Sequence, residues 1–330
     1  MEQVACNLCG NAEAPVLRVA CVRHYGDDQP FRIVRCEGCG LAYVSPRPDR
    51  EQIREYYPQQ YQADMNRVIG EGWTNPFVRM GLRMILRRRL PPVPPGRLLD
   101  VGCTVGRYLL ALRERGWHVQ GIEIDPYAAQ YARSRHGLDV RTGDAEDLLG
   151  RMEDASFDVV TMWHVLEHLF DPTAVLTQVR RILKPGGLLM MELPNFKCPF
   201  ARLFGDYWFP LEVPRHLYQF TPRTLKSMAQ KAGLEPVTIK GVPSPEAVAL
   251  SLLALGKRRT GDLKGEELSL SPLLLTLAFP LSWLMARLDL SDHMATVLVR
   301  PRESSREEIN PSREWAKEAT AALEAPAGKA

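Results

Sequence analysis

The chain has 330 residues, 45% of them hydrophobic and 25% charged, and a formal net charge of +3. That composition is ordinary for a globular protein and provides a sizeable core for one large domain with attachments, or for two domains. The charge is too small to imply a nucleic-acid partner by itself.

The chain opens without a secretory signal, because Met1 to Gly10 is polar and carries two cysteines, so a cytoplasmic compartment is expected. Four of the seven cysteines fall in two tight pairs, Cys6-x-x-Cys9 before Gly10 and Cys36-x-x-Cys39 before Gly40. Where no export signal is present, this pattern favours metal over disulfides. Each pair with its trailing glycine resembles a zinc knuckle. Two knuckles complete a closed shell of four thiolates, so residues 1–45 are expected to form a ribbon around a structural Zn2+. The energetic reason is size: a segment this short builds no adequate core unaided. The ribbon carries four Arg, no Lys and five acidic residues, so it has no basic bias towards nucleic acid. Cys21 and His24 are poorly spaced as substitute ligands, and Cys198 fits packing.

Residues 46–90 are expected to be a helical linker or lid with tyrosine-rich turns at Tyr56, Tyr57 and Tyr61, ending in the basic stretch Val78–Leu90. The run Pro91-Pro92-Val93-Pro94-Pro95-Gly96 cannot be helix and marks a boundary. After it, strands and helices alternate. Strands are predicted at Arg97–Val101, His118–Ile124, from Val140, at Phe157–Met162, Leu188–Leu193, Val237–Lys240 and Ala295–Arg300. Helices are predicted from Arg107 to Arg115 and after the caps Asp125-Pro126, Asp171-Pro172 and Thr221-Pro222. Val175, Leu176, Val179, Ile182 and Leu183 fall on one helical face, and Lys184-Pro185-Gly186-Gly187 stops that helix. This alternation implies an α/β fold: a mainly parallel, Rossmann-like sheet of seven strands with helices on both faces and ligands at the carboxyl ends of the strands.

At those ends, Asp100-Val101-Gly102-Cys103-Thr104-Val105-Gly106 closes the first strand. Its glycines allow close backbone approach, and the helix that follows offers free N–H groups. By itself this is a ligand-binding turn. The nicotinamide fingerprint is absent, because Thr104 and Arg107 replace its later glycines. Glu123 ends the second strand, where a carboxylate accepts from both hydroxyls of a ribose. Asp144 can accept from an adenine amine.

Five features, in this order and spacing, resemble the class I SAM-dependent methyltransferases over roughly residues 97–300: Leu99-Asp100-Val101-Gly102-Cys103; Glu123; Gly143-Asp144-Ala145; Phe157-Asp158-Val159-Val160; and Leu183-Lys184-Pro185-Gly186-Gly187. The resemblance implies S-adenosyl-L-methionine as cofactor, held by Asp100, Gly102, Cys103, Thr104, Gly106, Glu123, Ile124, Asp144, Ala145, Trp163 and His164. The family usually has glycine where this chain has Thr104. The segment Pro214-Arg215-His216-Leu217-Tyr218-Gln219-Phe220-Thr221 resembles the subgroup acting on sugars and related hydroxylated small molecules, some members of which carry an N-terminal zinc region. In that subgroup an acidic residue precedes the histidine, whereas here Arg215 does, and Arg215 can instead hold a phosphate or carboxylate of the substrate.

Methyl transfer from a sulfonium needs an aligned nucleophile and, for a hydroxyl, a base; histidine suits that role. The candidates are His216 and His168, each weighed against a satisfied structural histidine. Tyr57, Tyr61, Trp163, Tyr207 and Trp208 can line an acceptor site or simply pack. The expected reaction is methyl transfer to oxygen, less readily carbon, of a saccharide or lipid-linked acceptor. The alternatives are a quinone-type phenol reached at the membrane surface, an RNA-directed enzyme, and a SAM-fold protein without chemistry. The amine-directed Asn/Asp-Pro-Pro-Tyr/Phe motif is absent: its place reads Trp163-His164-Val165-Leu166. An apolar insertion spans about 245–290. Its uncharged run Leu273–Ala286 has 14 residues, short of the roughly 20 a bilayer span requires, and Pro280 interrupts it. It is expected to pack on the domain, on a second copy in a homodimer, or, with 78–90, on a membrane surface through 247–289. Residues 301–330 are read as a tail with one helix around Arg313–Leu323.

Overall fold

In the computed structural model the described residues are 1–21, 29–57, 89–260 and 272–302. Tyr61, His24, the basic stretch up to residue 88 and the tail helix lie outside them.

Seven strands form the larger sheet: β4 (Arg97–Val101), β5 (His118–Glu123), β6 (Asp139–Thr142), β7 (Phe157–Trp163), β8 (Leu183–Pro194), β10 (Glu235–Val242) and β11 (His293–Val299). Their order is β10-β11-β8-β7-β4-β5-β6, and β11 alone runs antiparallel to its neighbours. The chain moves outward from β4 to β5 and β6, then returns to place β7 on the other side of β4. The carboxyl ends of β4 and β7 therefore flank the topological switch point, where open α/β sheets bind ligands. Leu98, Leu99, Val159, Val160 and Leu189 are completely buried in the middle of the sheet, as central parallel strands require.

Five described helices cover this sheet: α1 (Arg107–Arg113), α2 (Pro126–His136), α3 (Ala145–Gly150), α4 (Pro172–Ile182) and α6 (Pro222–Lys231). Asp125 caps α2, Asp171 caps α4 and Thr221 caps α6, each followed by proline in the first helical turn. Helix α4 buries Val175, Leu176, Val179 and Ile182 on one face. It ends one residue earlier than its periodicity predicts, because Leu183 already pairs with Phe157 at the edge of β7.

The smaller sheet has the order β1-β2-β3-β9, with β1 (Val16–Cys21), β2 (Pro30–Arg35) and β3 (Ala42–Val44). Its fourth strand, β9 (Tyr218–Gln219), comes from the middle of the larger domain: Tyr43 pairs with Tyr218 and Ala42 with Gln219. Both faces of this sheet are covered. Tyr43 and Val34 join the core that contains Leu225 and Met228 of α6. Phe31, Ile33 and Val44 join a second core with Trp208 and Val248.

Between β8 and β9 lies the short helix α5 (Pro199–Leu203), and the insertion between β10 and β11 forms α7 (Pro245–Thr260) and α8 (Pro272–Arg287). Helix α8 runs through Pro280 rather than breaking there. The proline removes one backbone donor, but the residues around it are anchored. Ala278 is buried in the second core, and the Ser282 hydroxyl accepts from the Ser244 amide at 2.6 Å. The opposite face of α8 exposes Leu273, Leu277, Leu281 and Leu284, and Leu288 just after the helix is exposed as well. Among the described residues, no helix is long and apolar enough to cross a membrane.

Candidate active site

The loop after β4 is shaped by left-handed backbone. Gly102 and Gly106 have φ of +77° and +78°, and Thr104 between them has φ +48°. A Cβ on Gly102 would stand 2.6 Å from Val165 Cγ2, so glycine here also lets the β7 end pack against the loop. Thr104 stands where the resembled family is expected to have glycine, and its conformation accounts for that expectation: a β-branched residue is strained at φ +48°.

Glu123 at the end of β5 is almost fully buried, and its two oxygens accept from Thr104 N at 2.8 Å and Asp125 N at 2.9 Å. Burial holds its carboxyl above the usual range against these amides. Asp100, also buried, is pushed up to about 7 by burial, although it accepts from the Thr161 hydroxyl at 2.6 Å. Cys103 points its side chain into the core among Leu109 and Val140, so what it can offer a ligand in the loop is its backbone. Ile124 is 68% exposed beside Glu123, an apolar surface free to meet a flat ring. Asp144 caps α3 by accepting from Glu146 N at 2.8 Å, and its other oxygen pairs with Arg50 at 2.9 Å; Ala145 is buried behind it. The glycine loop, the anchored carboxylate of Glu123 and the exposed Ile124 fit an adenosyl cofactor.

At the end of β7, Trp163 lies with the Arg89 guanidinium 4.6 Å above its ring and meets Tyr108 edge to face. His164 has φ +57°, an uncommon conformation that turns its ring between Glu167 and Glu192, each 3.7 Å away. Burial disfavours its charge, but the two carboxylates outweigh it and lift His164 to about 9. Glu167 is 1% exposed, and among the described residues neither of its oxygens has a hydrogen-bond partner. Burial alone would raise its carboxyl, yet the surrounding histidines, His164 first, hold it at about 2.

His168 and His216 meet edge to face with ring centroids 4.5 Å apart. The Nδ1 of His216 lies 2.8 Å from the Pro210 carbonyl, and that of His168 lies 3.1 Å from the Arg215 carbonyl. Carbonyl oxygens only accept, so both rings carry hydrogen on Nδ1 and turn Nε2 away from those carbonyls. Burial and the neighbouring His216 bring His168 down to about 4, which keeps it neutral. One ligand atom each from Glu167, His168 and His216 lies within 4.8 Å of the others, so the trio can also hold a divalent cation.

Arg215 is 2% exposed and pairs with Glu212 at 3.0 Å, so it faces the protein rather than a substrate anion, a correction to that reading. Glu212 Oε2 is also 3.8 Å from His216 Nε2. Glu212 thus supplies the acidic neighbour that seemed missing next to His216; its signal in the sequence was the four-residue spacing. Glu192 and Arg50 were missed too, since each reaches the site only through the fold. Trp208 is fully buried and donates to Asp292 at 2.5 Å, so it is core rather than acceptor wall. A separate cavity of about 580 Å3 opens between the two sheets' domains, lined by Arg47, Arg50, Phe170, Asp171 and Tyr218 and by none of these histidines.

In the small module, Cys6 Sγ lies 3.4 Å from Cys39 Sγ and Cys9 Sγ 3.3 Å from Cys36 Sγ, with all four within 4.8 Å of one another. Edges of about 3.8 Å are what a tetrahedron with Zn–S bonds near 2.3 Å requires, so the donor set fits zinc. The two knuckles match: Gly10 N bonds Cys6 O, Gly40 N bonds Cys36 O, and both glycines have φ +79°. Burial pushes the Cys6 thiol up. It also opposes the Cys36 thiolate, which the Cys39 amide and neighbouring thiols nevertheless bring down to about 7.

The switch-point crevice with an anchored acidic residue at the end of β5 defines a nucleoside-cofactor site of the doubly wound α/β class. A family model described as a methyltransferase domain matches residues 77–239. A Xylella fastidiosa protein named ubiquinone biosynthesis O-methyltransferase is 31% identical over 203 residues, covering 56% of this chain and 82% of its own length. The chain belongs to this methyltransferase family. A protein of the same name from Cereibacter sphaeroides is 36% identical over 157 residues, 44% of this chain; the chain spans 63% of that relative's length. Among solved structures, the cyclase SpnF aligns with a TM-score of 0.50 at 19% identity, covering 78% of this chain and 97% of SpnF, a likeness of fold.

Proposed function

We propose that the protein transfers a methyl group from S-adenosyl-L-methionine to the oxygen of a small phenol-type acceptor. The observation that carries this reading is the pair His168 and His216, each with Nδ1 held by a backbone carbonyl so that Nε2 is the nitrogen turned away from it, beside the buried carboxylate of Glu167. The names of the relatives support a quinone-type phenol over the saccharide acceptor, which rests on the segment 214–221 alone.

In this reading Glu123 holds the ribose, Asp144 with Ala145 and Ile124 the adenine, and Gly102 to Gly106 the methionine end, with Asp100, Trp163 and His164 around it. Bound there, the cofactor supplies a methyl group activated as a sulfonium, and transfer to a hydroxyl yields the methyl ether, S-adenosylhomocysteine and one proton. A histidine Nε2 takes that proton, His216 as base and His168 as its neighbour. Positively charged His164, between two carboxylates, remains an orienting group rather than a base. Cys6, Cys9, Cys36 and Cys39 hold a structural zinc. The outward leucines of α8 give the protein a surface for peripheral contact with membrane or with a second copy.

The test is a SAM-consumption screen across polyhydroxylated aromatics, nucleotide sugars and lipid-linked saccharides, preceded by calorimetry. Turnover is expected with the phenols. Absence of SAM binding sinks the whole reading, and turnover with saccharides only replaces the acceptor.

A further inference from the structure

The N-terminal module reaches the end of β6 through one side chain. After β3 the chain carries Arg47 and Arg50 across the seam between the two sheets. Arg47 is buried and anchors the segment: its Nε donates to Glu2 at 2.8 Å, and its Nη1 donates to the Phe170 carbonyl at 3.1 Å and the Tyr218 hydroxyl at 3.2 Å. Asp49 fixes the next turn, its Oδ1 accepting from the amides of Glu51 and Gln52, each at 2.9 Å. Arg50, next to it, is thereby aimed at the large domain. Its guanidinium lies 4.7 Å over the Phe170 ring, its Nη1 donates to Asp144 Oδ2 at 2.9 Å, and its Nη2 pairs with Glu146.

Asp144 is therefore held from two sides, Oδ1 by the Glu146 amide at 2.8 Å and Oδ2 by Arg50. Two donors fix the plane of the carboxylate, and because each oxygen has two lone pairs, one stays available to an amine. The side chain is 31% exposed, so a ligand can reach it. Asp144, Glu146 and Asp147 crowd three carboxylates into one short stretch, and Arg50 is the cation set among them. Without that cation, Asp144 and Glu146 repel, and the Asp144 carboxylate keeps only its cap contact. The same group of side chains runs back to the knuckle: Glu146 accepts from Asp171 N at 2.8 Å, and Asp171 accepts from Asn7, which stands between Cys6 and Cys9. We propose that Arg50 is a positioning residue for the cofactor, which holds the Asp144 carboxylate in line for the exocyclic amine of adenine. Docking of the cysteine module thereby sets the nucleobase selectivity of the cofactor site. The inference rests on the reading of Asp144 as the adenine acceptor and is independent of which acceptor takes the methyl group.

The test uses the full-length protein and measures, by calorimetry, the binding of S-adenosylhomocysteine and of S-inosylhomocysteine, which carries a carbonyl oxygen in place of the amine. Wild type is expected to bind the adenosyl compound at least about tenfold more tightly, the weight of a hydrogen bond to a carboxylate. Arg50→Ala is expected to weaken the adenosyl compound about fivefold and to leave the inosyl compound within about twofold. The control Arg54→Ala, which removes the same charge from an exposed position on the same arm, should change neither. In Asp144→Asn the preference is lost, and adding Arg50→Ala weakens binding no further, because the two residues act through one contact. Unchanged affinity for the adenosyl compound in a folded Arg50→Ala overturns the proposal, as does equal weakening of both compounds or an Arg50 effect that persists in Asp144→Asn. A wild type without nucleobase preference overturns it even if the variants misfold. A wild type that shows the preference but methylates no phenol removes the proposed acceptor, while the Arg50 variants still decide this inference.

Discussion

The two sheets reach stability by different routes. The seven-stranded sheet buries whole side chains of Leu98, Leu99, Val159 and Leu189 between two layers of helices, and it reads as an independent core. The small sheet has three strands of its own and borrows β9 as a fourth. Its knuckle turn is tied to the large domain by Asn7, whose amide donates to Asp171 and whose oxygen accepts from Thr173, and by Lys231, which donates to Leu8 O. A segment of this size cannot offset its chain entropy by burial alone. The four thiolates and the docking surface share that task, and the strand that completes the small sheet is the one that follows His216. The contrast teaches that the module does not stand apart, because its fourth strand is the large domain's own β9.

The largest expected effect separates the two. Replacing Cys36 and Cys39 by serine removes half the proposed zinc shell, whose binding in such sites corresponds to about 10–16 kcal/mol of folding free energy. Metal analysis should fall from about one zinc per chain to none, limited proteolysis should cut within the first 57 residues, and turnover should drop to background while the large sheet still melts cooperatively. Zinc retained by this variant would remove the ribbon assignment. On the other side of the comparison, Glu123→Gln should weaken SAM binding by about two orders of magnitude without changing the module, since hydrogen bonds to a charged acceptor contribute roughly 1.5–3 kcal/mol each. Calorimetry showing wild-type affinity would exclude Glu123 as the ribose acceptor.

His216 sits where the two regions join. Truncating it to alanine should lower kcat by about 10²–10⁴ with the SAM dissociation constant unchanged, the size of a lost general base. The pH dependence sharpens this point. His168 has a folded value near 4, below its ordinary 6.5, so the stability associated with its neutral form is present above about pH 6.5 and is lost as pH falls through about 4. Unfolding midpoints should therefore decline on acidification over that window and decline less in His168→Asn. The smallest effect lies within the large sheet alone. Thr104→Gly relieves a positive φ and should raise stability by about 1 kcal/mol at most, read as a small rise in Tm.

The fold of residues 97–300 was legible because each cue is local. Asp125-Pro126, Asp171-Pro172 and Thr221-Pro222 cap helices by contacts within three residues, and period-3.6 burial on α4 follows from neighbours in sequence. Glycines 10 and 40 mark the knuckles for the same reason. The site was legible only in outline. Strand-end position made Glu123, Asp144 and the histidines candidates, but did not say which way they point. Cys103 turns into the core, Arg215 towards Glu212, and Trp208 towards Asp292. Such choices depend on neighbours far away in the chain, and periodicity carries no trace of them.

By itself, then, the sequence determined an alternating α/β architecture, a glycine loop followed by an acidic strand end, and two cysteine knuckles, since hydrophobic period, capping and backbone conformation act over a few residues. Tertiary structure alone decided that β9 leaves the large domain to complete the small sheet, that Glu212 and Glu192 join the histidines, and that Arg50 reaches Asp144. Those contacts are fixed by packing two cores against each other, and only the folded chain brings their partners within hydrogen-bonding distance.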